Sequence, residues 1–386
     1  MDTVLRSQFN AAWTPEKYAE FLRRLDDGSG THVGFRNCET PCFFPRALIG
    51  KMATYGRDLV SQLTTSQEYR KLSDSTIPDE YRVANEDPLP LFVQADFGLD
   101  EHLEPKLVEI QAFPSMYAFH PFLAETYRAA YNLDAGLSCY IDGLDAASYR
   151  DLFYNSVVAT HDPENVVLME IHPETQKTLP DFLLTERTLG IRTVCVTKIR
   201  QHGRQLSYEH NGRTIPIRRI YNRMIVDELV RKGIKPGFDL RADLEVEWAG
   251  HPNWYFRISK FSIPYLKHVS VPKTWFLDGG EVPPDLENYV LKPLYSFAGL
   301  GVIVGPSKAD VDAVPAEHRS GYILQERVNF VPVIDTPQGK TKAEIRVMYI
   351  GGQAVTTIIR MGRGKMMGVD HNKYMEWVGA SAAFLV

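Results

Sequence analysis

Apolar and polar residues alternate along two short segments in the first third of the chain. Residues 91–97 follow this pattern, and residues 106–111 repeat it after a loop. A period of two predicts β-strands, because successive side chains of a strand point to opposite faces of a sheet. Asp96 and Glu109 lie on the two segments, so a hairpin between them would place both carboxylates on one face.

The middle of the chain has a different pattern, in which short β-rich runs alternate with helical periodicity. A helical segment that ends at Gly190 separates two such runs, and this order predicts a βαβ unit within a parallel sheet. A second helical segment ends at Gly233. The predicted segments are strands at 166–171, 191–197 and 214–221 and helices at 179–189 and 223–232.

Composition limits the kind of protein that this chain can be. It has 386 residues, a formal net charge of −5 and no basic tract, which argues against a protein that binds duplex DNA. Hydrophobic residues make up 44% of the sequence, as in globular domains, and no apolar run is long enough to cross a bilayer. The cysteines form no CxxC pair, and no apolar signal core begins the chain. We therefore expect a cytoplasmic protein of two or three domains, without nucleic-acid or membrane partners and with its oligomeric state undefined.

The most specific local motif lies within residues 289–304. A β-rich run delivers Lys292, and the small residues after it lead to Gly299, Gly301 and a second β-rich run. Glycine lets a backbone approach phosphate oxygens closely, and a lysine on the preceding strand supplies a matching cation. The motif is not a Walker loop, because it has no GK[ST] triplet, and not a dinucleotide fingerprint, because a strand follows it. A phosphate-binding loop and a plain β-hairpin with an exposed lysine both remain open.

Two neighbouring segments add candidate contacts for a nucleotide. Lys260 precedes Lys292 by 32 residues and also lies beside a β-rich run, and two converging cations suit a triphosphate. Gln325 and Glu326 end another strand-like run, where backbone and carboxamide groups would face the edge of an adenine ring. Each lysine alone would more often be a solvated surface charge.

Arginines in the last quarter of the chain are the candidates for catalysis. Arg346 and Arg360 lie on β-rich runs, close to Glu344 and Arg363. A guanidinium group presents a planar fork that fits a carboxylate or a phosphate, so this pair would hold a transferred phosphoryl group or an acyl phosphate. A surface ion pair is the alternative for each arginine. The histidines show no metal-ligand spacing.

The order of these motifs resembles the nucleotide-binding half of an ATP-grasp ligase. Such enzymes usually place an Asp and a Glu-x-Asn pair after this half, whereas in this chain Asp96 and Glu109 precede it. That rearranged order is similar to the circularly permuted ATP-grasp family, to which glutathionylspermidine synthase belongs. Gln111 stands where the family pattern usually has Asn. The resemblance covers residues 92–384 and does not include the amidase domain that accompanies the bacterial enzyme.

The resemblance implies an α/β fold, with a circularly permuted ATP-grasp core and a central parallel-sheet (βαβ) substrate region. Residues 1–127 would carry the metal-binding hairpin, residues 128–250 the substrate-side α/β domain, and residues 251–386 the ATP-binding part with a glycine-loop lid. The implied reaction forms a carbon–nitrogen bond. ATP phosphorylates a small-molecule carboxylate, and an amine then attacks the acyl phosphate.

The resemblance also assigns roles to the candidate residues. Arg346 and Arg360 would act in catalysis, and magnesium ions would be bound by Asp96, Glu109 and Gln111, since oxygen ligands suit that cation. The residues that would bind ATP are Lys260, Lys292, Gly299, Gly301, Gln325 and Glu326. Two alternatives remain, namely a nucleotide-binding protein without ligase activity and an ATP-grasp phosphotransferase that acts on a non-amine acceptor.

Overall fold

The computed structural model describes residues 1–280, 282–295 and 299–386. Its α-helices are α1 (Thr3–Ala12), α2 (Pro15–Ser29), α3 (Arg46–Thr65), α4 (Gln67–Asp74), α5 (Phe119–Tyr131), α6 (Ala146–Val157), α7 (Leu179–Leu189), α8 (Val226–Lys232), α9 (Asn253–Arg257), α10 (Lys308–Asp312) and α11 (Val369–Asn372). Its strands are β1 (Cys42–Phe44), β2 (Phe92–Leu99), β3 (Pro105–Gln111), β4 (Val166–Glu170), β5 (Arg192–Cys195), β6 (Arg200–His202), β7 (Gln205–His210), β8 (Arg213–Ile217), β9 (Arg219–Asn222), β10 (Glu247–Ala249), β11 (Thr274–Phe276), β12 (Tyr289–Pro293), β13 (Ile303–Val304), β14 (Tyr322–Glu326), β15 (Lys342–Ile350), β16 (Gln353–Gly362), β17 (Gly379–Ser381) and β18 (Ala383–Leu385).

The alternating segments near the front of the chain form the predicted hairpin. Strands β2 and β3 pair antiparallel, and Asp96 lies directly opposite Glu109. Strand β15 pairs with the other edge of β2, which produces an antiparallel sheet in the order β17-β16-β15-β2-β3. Residues 92–111 and 342–381 therefore share one sheet although they are far apart in the sequence.

The alternation divides this five-stranded sheet into an apolar face and a polar face. Apolar residues such as Ala95, Phe97 and Ile345 are fully buried in one of the hydrophobic cores. Their neighbours in the sequence, among them Asp96 and Glu344, point to the opposite face. Asp96 and Glu344 are buried as well, so these charged side chains require partners inside the protein.

The predicted βαβ unit is present in the middle of the chain. Strands β4 and β5 pair in parallel, α7 connects them, and β9 and β10 extend the parallel sheet in the order β10-β9-β4-β5. Helices α7 and α8 end at Gly190 and Gly233, whose φ angles of 72° and 61° lie in the left-handed region that favours glycine. Both helix ends are therefore as predicted.

The prediction of a single strand at 214–221 is wrong. Strand β8 belongs to an antiparallel β6-β7-β8 meander, whereas β9 belongs to the parallel sheet, and the chain passes from one to the other at Arg218. The reason is visible in the sequence, because the two consecutive arginines Arg218 and Arg219 break the period of two. The helix predicted at 223–232 begins later, at Val226.

Another antiparallel sheet, in the order β11-β14-β12-β13, carries the predicted nucleotide segments. Lys292 lies on β12, and Gln325 and Glu326 end β14, as the pattern indicated. The residues that flank Lys260 in the sequence do not form a strand, which corrects the sequence-based interpretation. Lys260 begins a short 3₁₀ helix (Lys260–Tyr265), because the Ser259 hydroxyl caps that helix by accepting a hydrogen bond from the amide of Phe261.

The remaining sequence expectations concern cysteines and membrane segments. Cys38 and Cys42 are fully buried thiols, and burial raises the pKa of Cys42 to about 12, which suits a structural role. Within the described ranges, no helix is both long and apolar enough to span a bilayer.

Candidate functional site

A cavity of about 460 Å³ lies between the polar face of the five-stranded sheet and the sheet that contains β12 and β14. The candidate residues that line it are Asp96, Glu109, Gln111, Lys260, Lys292, Gly299, Gln325, Glu326, Arg346 and Arg360. Side chains separated by up to 264 positions in the sequence, such as Asp96 and Arg360, thus meet at one place. The fold brings the metal-ligand, nucleotide and arginine candidates together.

The glycine turn forms one rim of this cavity. Gly299 and Gly301 have φ angles of 75° and 73°, a region that side-chain-bearing residues rarely adopt. A Cβ atom on Gly299 would lie 2.9 Å from the methyl group of Met366, so the absence of a side chain permits this close packing. Gly301 lies against Pro293 instead of lining the cavity. Residues 296–298, which belong to the predicted lid, are outside the described residues.

Asp96 is the centre of a buried ion-pair network. Its carboxylate accepts hydrogen bonds from Arg346 Nε at 2.5 Å and Nη2 at 2.7 Å, and from Arg360 Nη2. Arg360 Nε donates to Glu344 at 2.7 Å. Burial raises the pKa of Asp96, but the charges of Arg346 and Arg360 outweigh burial and hold that pKa below its usual range. Asp96 is therefore an anion that fixes two guanidinium planes.

The fixed arginines keep donors for a ligand. Arginine has five N–H groups, and Arg360 uses one for Asp96 and one for Glu344 in the described structure. The side chain of Arg360 is 19% exposed, whereas that of Asp96 is 3% exposed, so the arginine is the more accessible partner from the cavity. An anionic group that enters the cavity would meet N–H groups already held in place.

Glu109 forms an ion pair with Lys260, one of the two candidate lysines. Its carboxylate lies 3.1 Å from Lys260 Nζ, and its side chain is 26% exposed, which makes it more accessible than Asp96. Burial raises the pKa of Glu109, but the charges of Lys260, Arg346 and Lys292 together outweigh this effect and lower the pKa overall. Gln111 donates from Nε2 to the carbonyl oxygen of the Gln94 side chain at 2.8 Å.

Lys292 is held inside the wall of the cavity. Its ammonium group donates to the backbone oxygen of Val108 at 2.9 Å and to Gln325 Oε1 at 2.5 Å. Burial lowers the pKa of Lys292 from its ordinary 10.5 to about 8, although Glu109 opposes that change. The fold therefore holds Lys292 next to the cavity in surroundings that disfavour its positive charge.

The charge of the cavity is opposite in sign to the charge of the whole chain. The basic residues of its described lining are Lys260, Lys292, Arg327, Lys342, Arg346, Arg360 and Lys365, and the acidic residues are Asp96, Glu109, Glu326 and Glu344. Seven basic and four acidic residues leave an excess of three positive charges, whereas the chain carries −5. This local excess is suited to a polyanionic ligand.

Magnesium is the ion that the sequence resemblance implies for this site. Asp96, Glu109, Glu344 and Gln111 supply oxygen atoms of the kind that magnesium binds. Nevertheless, no group of three or more His, Cys, Asp or Glu side chains is arranged around a possible ion among the residues that the structure describes. These oxygen atoms suit magnesium in kind, but an ion would need further ligands to be held here.

Several polar residues at or beside the site were not among the sequence candidates, and three of them contact or accompany the ion-pair network. Glu344 pairs with Arg360, Gln94 accepts from Arg346 at 2.9 Å, and Lys342 lines the cavity. The signal that could have identified them is the period of two in β2 and β15, which places Gln94 with Asp96, and Lys342 with Glu344, on one face. The long-range pairing of β2 with β15 was not visible in the sequence.

The comparisons with known proteins concern the fold. No protein-family model matches the sequence, and no curated protein sequence matches it. The chain is similar to the solved apo structure of a glutathione synthetase-like effector from Globodera pallida, with a TM-score of 0.58 and 12% identity over 97% of this chain and 98% of that chain. It also matches a structure assigned as a γ-glutamylcysteine synthetase from Methylobacillus flagellatus, with a TM-score of 0.39 and 13% identity over 86% of each chain. The first likeness shows that this chain has the α/β fold of a glutathione synthetase-like protein.

Proposed function

We propose that this chain is an ATP-dependent ligase that joins a small-molecule carboxylate to an amine through an acyl phosphate, on a circularly permuted ATP-grasp core. The observation that carries the proposal is the convergence of Lys260, Lys292, Arg346 and Arg360 around buried carboxylates in one cavity. The fold likeness to a glutathione synthetase-like effector agrees with the fold that this proposal requires. The boundaries of the three sequence-based domains, near residues 127 and 250, remain part of the proposal.

The cavity contains groups suited to the base of a nucleotide and groups suited to its phosphates. Val108, Val290 and Val304 give the wall near Gln325 an apolar surface that suits a base. Lys260 and Lys292 supply charge for phosphate groups beyond it, and the Gly299 turn offers close backbone approach. Glu326 ends β14 at the rim, where it would face the adenine edge or the ribose.

In the proposed reaction a carboxylate oxygen of the substrate attacks the γ-phosphorus of ATP, and the bond to the β–γ bridging oxygen breaks to release ADP. The amine nitrogen then attacks the acyl carbon, phosphate leaves, and the amide nitrogen loses a proton. Arg346 and Arg360 stabilise the charge that grows on the transferred group, because Asp96 and Glu344 already fix their orientation.

Magnesium bound with ATP would neutralise part of the triphosphate charge and polarise the transferred phosphoryl group. Glu109 is the most accessible of the three carboxylates that would hold it, at 26% side-chain exposure against 3% for Asp96 and 10% for Glu344. Gln111 would add a carboxamide oxygen. Asp96 serves first to hold the arginines, and its role as a metal ligand remains a prediction.

The charges that line the cavity also indicate which kind of amine substrate it would favour. The carboxylates Asp96, Glu109 and Glu344 each contact a lysine or an arginine, so they do not form an acidic surface for a polycation. The excess positive charge of the cavity favours an amine that also carries an anionic group, such as an amino acid, over a polyamine.

A substrate screen tests this function. ADP release is measured with Mg²⁺ and ATP across paired panels of carboxylates (amino acids and small peptides) and amines (amino acids and spermidine). Release that requires both partners supports the ligase. Release with an acceptor that contains no amine would instead show a phosphotransferase, and ATP binding without turnover across the panel would show a nucleotide-binding protein.

A further inference from the structure

Gln94 is a fully buried polar residue that contacts three other segments of the chain. It lies on β2, directly opposite Gln111 on β3. Its Nε2 atom donates to the backbone oxygen of Ser115 at 2.8 Å, and its Oε1 atom accepts from Arg346 Nη1 at 2.9 Å and from Gln111 Nε2 at 2.8 Å. The carboxamide therefore links β3, the loop that follows β3, and the arginine on β15.

Two of these partners determine the orientation of the Gln94 carboxamide. A backbone carbonyl oxygen can only accept a hydrogen bond, and a guanidinium group can only donate one. The NH₂ group of Gln94 must therefore face Ser115, and its oxygen must face Arg346. The reverse orientation would place oxygen against oxygen and N–H against N–H inside the protein, where each unpaired group is costly.

The orientation of Gln94 in turn fixes the orientation of Gln111. Because Gln94 presents its oxygen, the carboxamide of Gln111 must turn its NH₂ group toward Gln94. The Oε1 atom of Gln111 has no hydrogen-bond partner among the residues that the structure describes, and it keeps surface that is accessible to solvent. Gln111 is partly exposed and lines the cavity. A molecule or ion in the cavity would thus meet an oxygen acceptor at this position and not an N–H donor.

This orientation matters because a carboxamide binds a cation through only one of its two ends. Its oxygen attracts a cation and its NH₂ group repels one, yet the two ends have nearly the same size, so packing alone does not select between them. Arg346 depends less on Gln94, because Asp96 already accepts hydrogen bonds from its Nε and Nη2 atoms. The main consequence of the Gln94 contacts is therefore the direction of the Gln111 oxygen.

We propose that Gln94 is a positioning residue, which holds the oxygen of Gln111 toward the cavity so that this oxygen binds the magnesium ion that accompanies the nucleotide. The inference rests on the proposed function, since it requires that ion. Gln94 is itself fully buried and acts only through Gln111. Substitutions at the two positions should consequently impair the same property, which is the contribution of the metal to ATP binding.

The metal dependence of ATP binding tests this role. Titration calorimetry measures the affinity for ATP with Mg²⁺ and with EDTA, and the ratio of the two affinities is the metal enhancement. Gln94→Met keeps the length of the side chain but removes its hydrogen bonds, so its metal enhancement should be about tenfold below that of the wild type, whereas its affinity in EDTA should change by less than about twofold. Equal losses with and without Mg²⁺ would show a merely structural residue and contradict the proposal. Gln176→Met is a matched control, because Gln176 donates to the backbone oxygen of Ile171 outside the cavity, and it should keep the wild-type enhancement.

Further variants test whether Gln94 acts through Gln111. Gln111→Met should show the same tenfold loss of metal enhancement, and the double variant Gln94→Met/Gln111→Met should lose no more than Gln111→Met alone. Additive losses would refute the proposal. Gln94→Glu keeps an acceptor for Gln111 and Arg346, so it should retain at least the wild-type enhancement, and a loss like that of Gln94→Met would count against the proposal.

Failure of this proposal can be distinguished from failure of the proposed function. An unchanged metal enhancement in Gln111→Met would overturn the role of Gln94 even if Gln94→Met did not fold, and so would wild-type ATP binding that does not depend on Mg²⁺. A wild-type chain that bound no ATP under either condition would instead overturn the proposed function.

Discussion

Lys292 offers a test in which the stability of the fold and the function of the site have opposite requirements. Burial lowers its pKa from 10.5 to about 8, so the folded state binds this proton less tightly than the unfolded state. At neutral pH the ammonium group therefore destabilises the fold. Replacement by methionine, which is apolar and of similar length, removes that cost together with the charge that would bind phosphate.

The magnitude follows from the shift in pKa. The difference between 10.5 and about 8 corresponds to roughly 3 kcal/mol at pH values below 8. Between those two values the unfolded state binds more protons, so the cost disappears as the pH rises. Lys292→Met also leaves Gln325 Oε1 and the oxygen of Val108 without their donor, which costs about 1–3 kcal/mol for each unpaired group but does not vary with pH.

The assay is urea unfolding of both proteins at several pH values from 7 to 10, followed by tryptophan fluorescence. Trp275 lies on β11 in the same sheet as Lys292 and reports on this region. The free energy of unfolding of the wild type, relative to Lys292→Met, should increase by roughly 2–3 kcal/mol from pH 7 to pH 10. Lys308→Met is a matched control, because Lys308 is 79% exposed and its removal should give a difference that does not change with pH. Parallel curves for wild type and Lys292→Met would refute the reasoning.

Three further predictions concern the same cavity. The affinity of the wild type for ATP should fall as the pH rises above about 8, where Lys292 loses its proton, and Lys292→Arg should remove this dependence in calorimetric titrations. Asp96→Asn should lower the free energy of unfolding by about 3–5 kcal/mol, because two buried guanidinium groups lose their shared anion. Glu109→Gln should retain measurable ATP binding but lower ADP release by orders of magnitude, since magnesium alignment matters most in phosphoryl transfer.

Each of these predictions has a result that contradicts it. A pH-independent affinity of the wild type would show that the charge of Lys292 does not contribute to binding. Asp27→Asn removes the exposed partner of Arg23 and should cost less than about 1 kcal/mol, so a similarly small effect of Asp96→Asn would dispute the buried network. Glu109→Gln that is folded and turns over like the wild type would exclude a metal role for Glu109.

Local patterns were sufficient for the hairpin and for the parallel sheet. Period-two alternation identified β2 and β3, and an apolar run, a helix and Gly190 identified β4, α7 and β5. These elements depend on side chains close together in the sequence, so the pattern of polarity contains the information. The prediction of one strand at 214–221 shows the limit of such patterns. Strands β8 and β9 belong to different sheets, but the change of sheet at Arg218 disturbs the period of two at only one position.

The composition of the site could be predicted, but its internal contacts could not. Residue chemistry selected Arg346 and Arg360 as anion-binding groups, and the family resemblance selected Asp96 as a metal ligand. Their direct ion pairs depend on β2 pairing with β15, a contact across 250 positions that neither segment encodes alone. In the structure Asp96, which was predicted to bind a metal, forms ion pairs with both arginines.

The most direct measurement is a calorimetric titration of the wild-type chain and of a Lys260→Met/Lys292→Met double variant with ATP and Mg²⁺. The expected result is one saturable ATP site in the wild type and a loss of affinity of at least about tenfold in the double variant, with its fold confirmed by circular dichroism. Absence of ATP binding by the wild type, or equal affinity of the two proteins, would contradict the assignment of the cationic cavity as a nucleotide site.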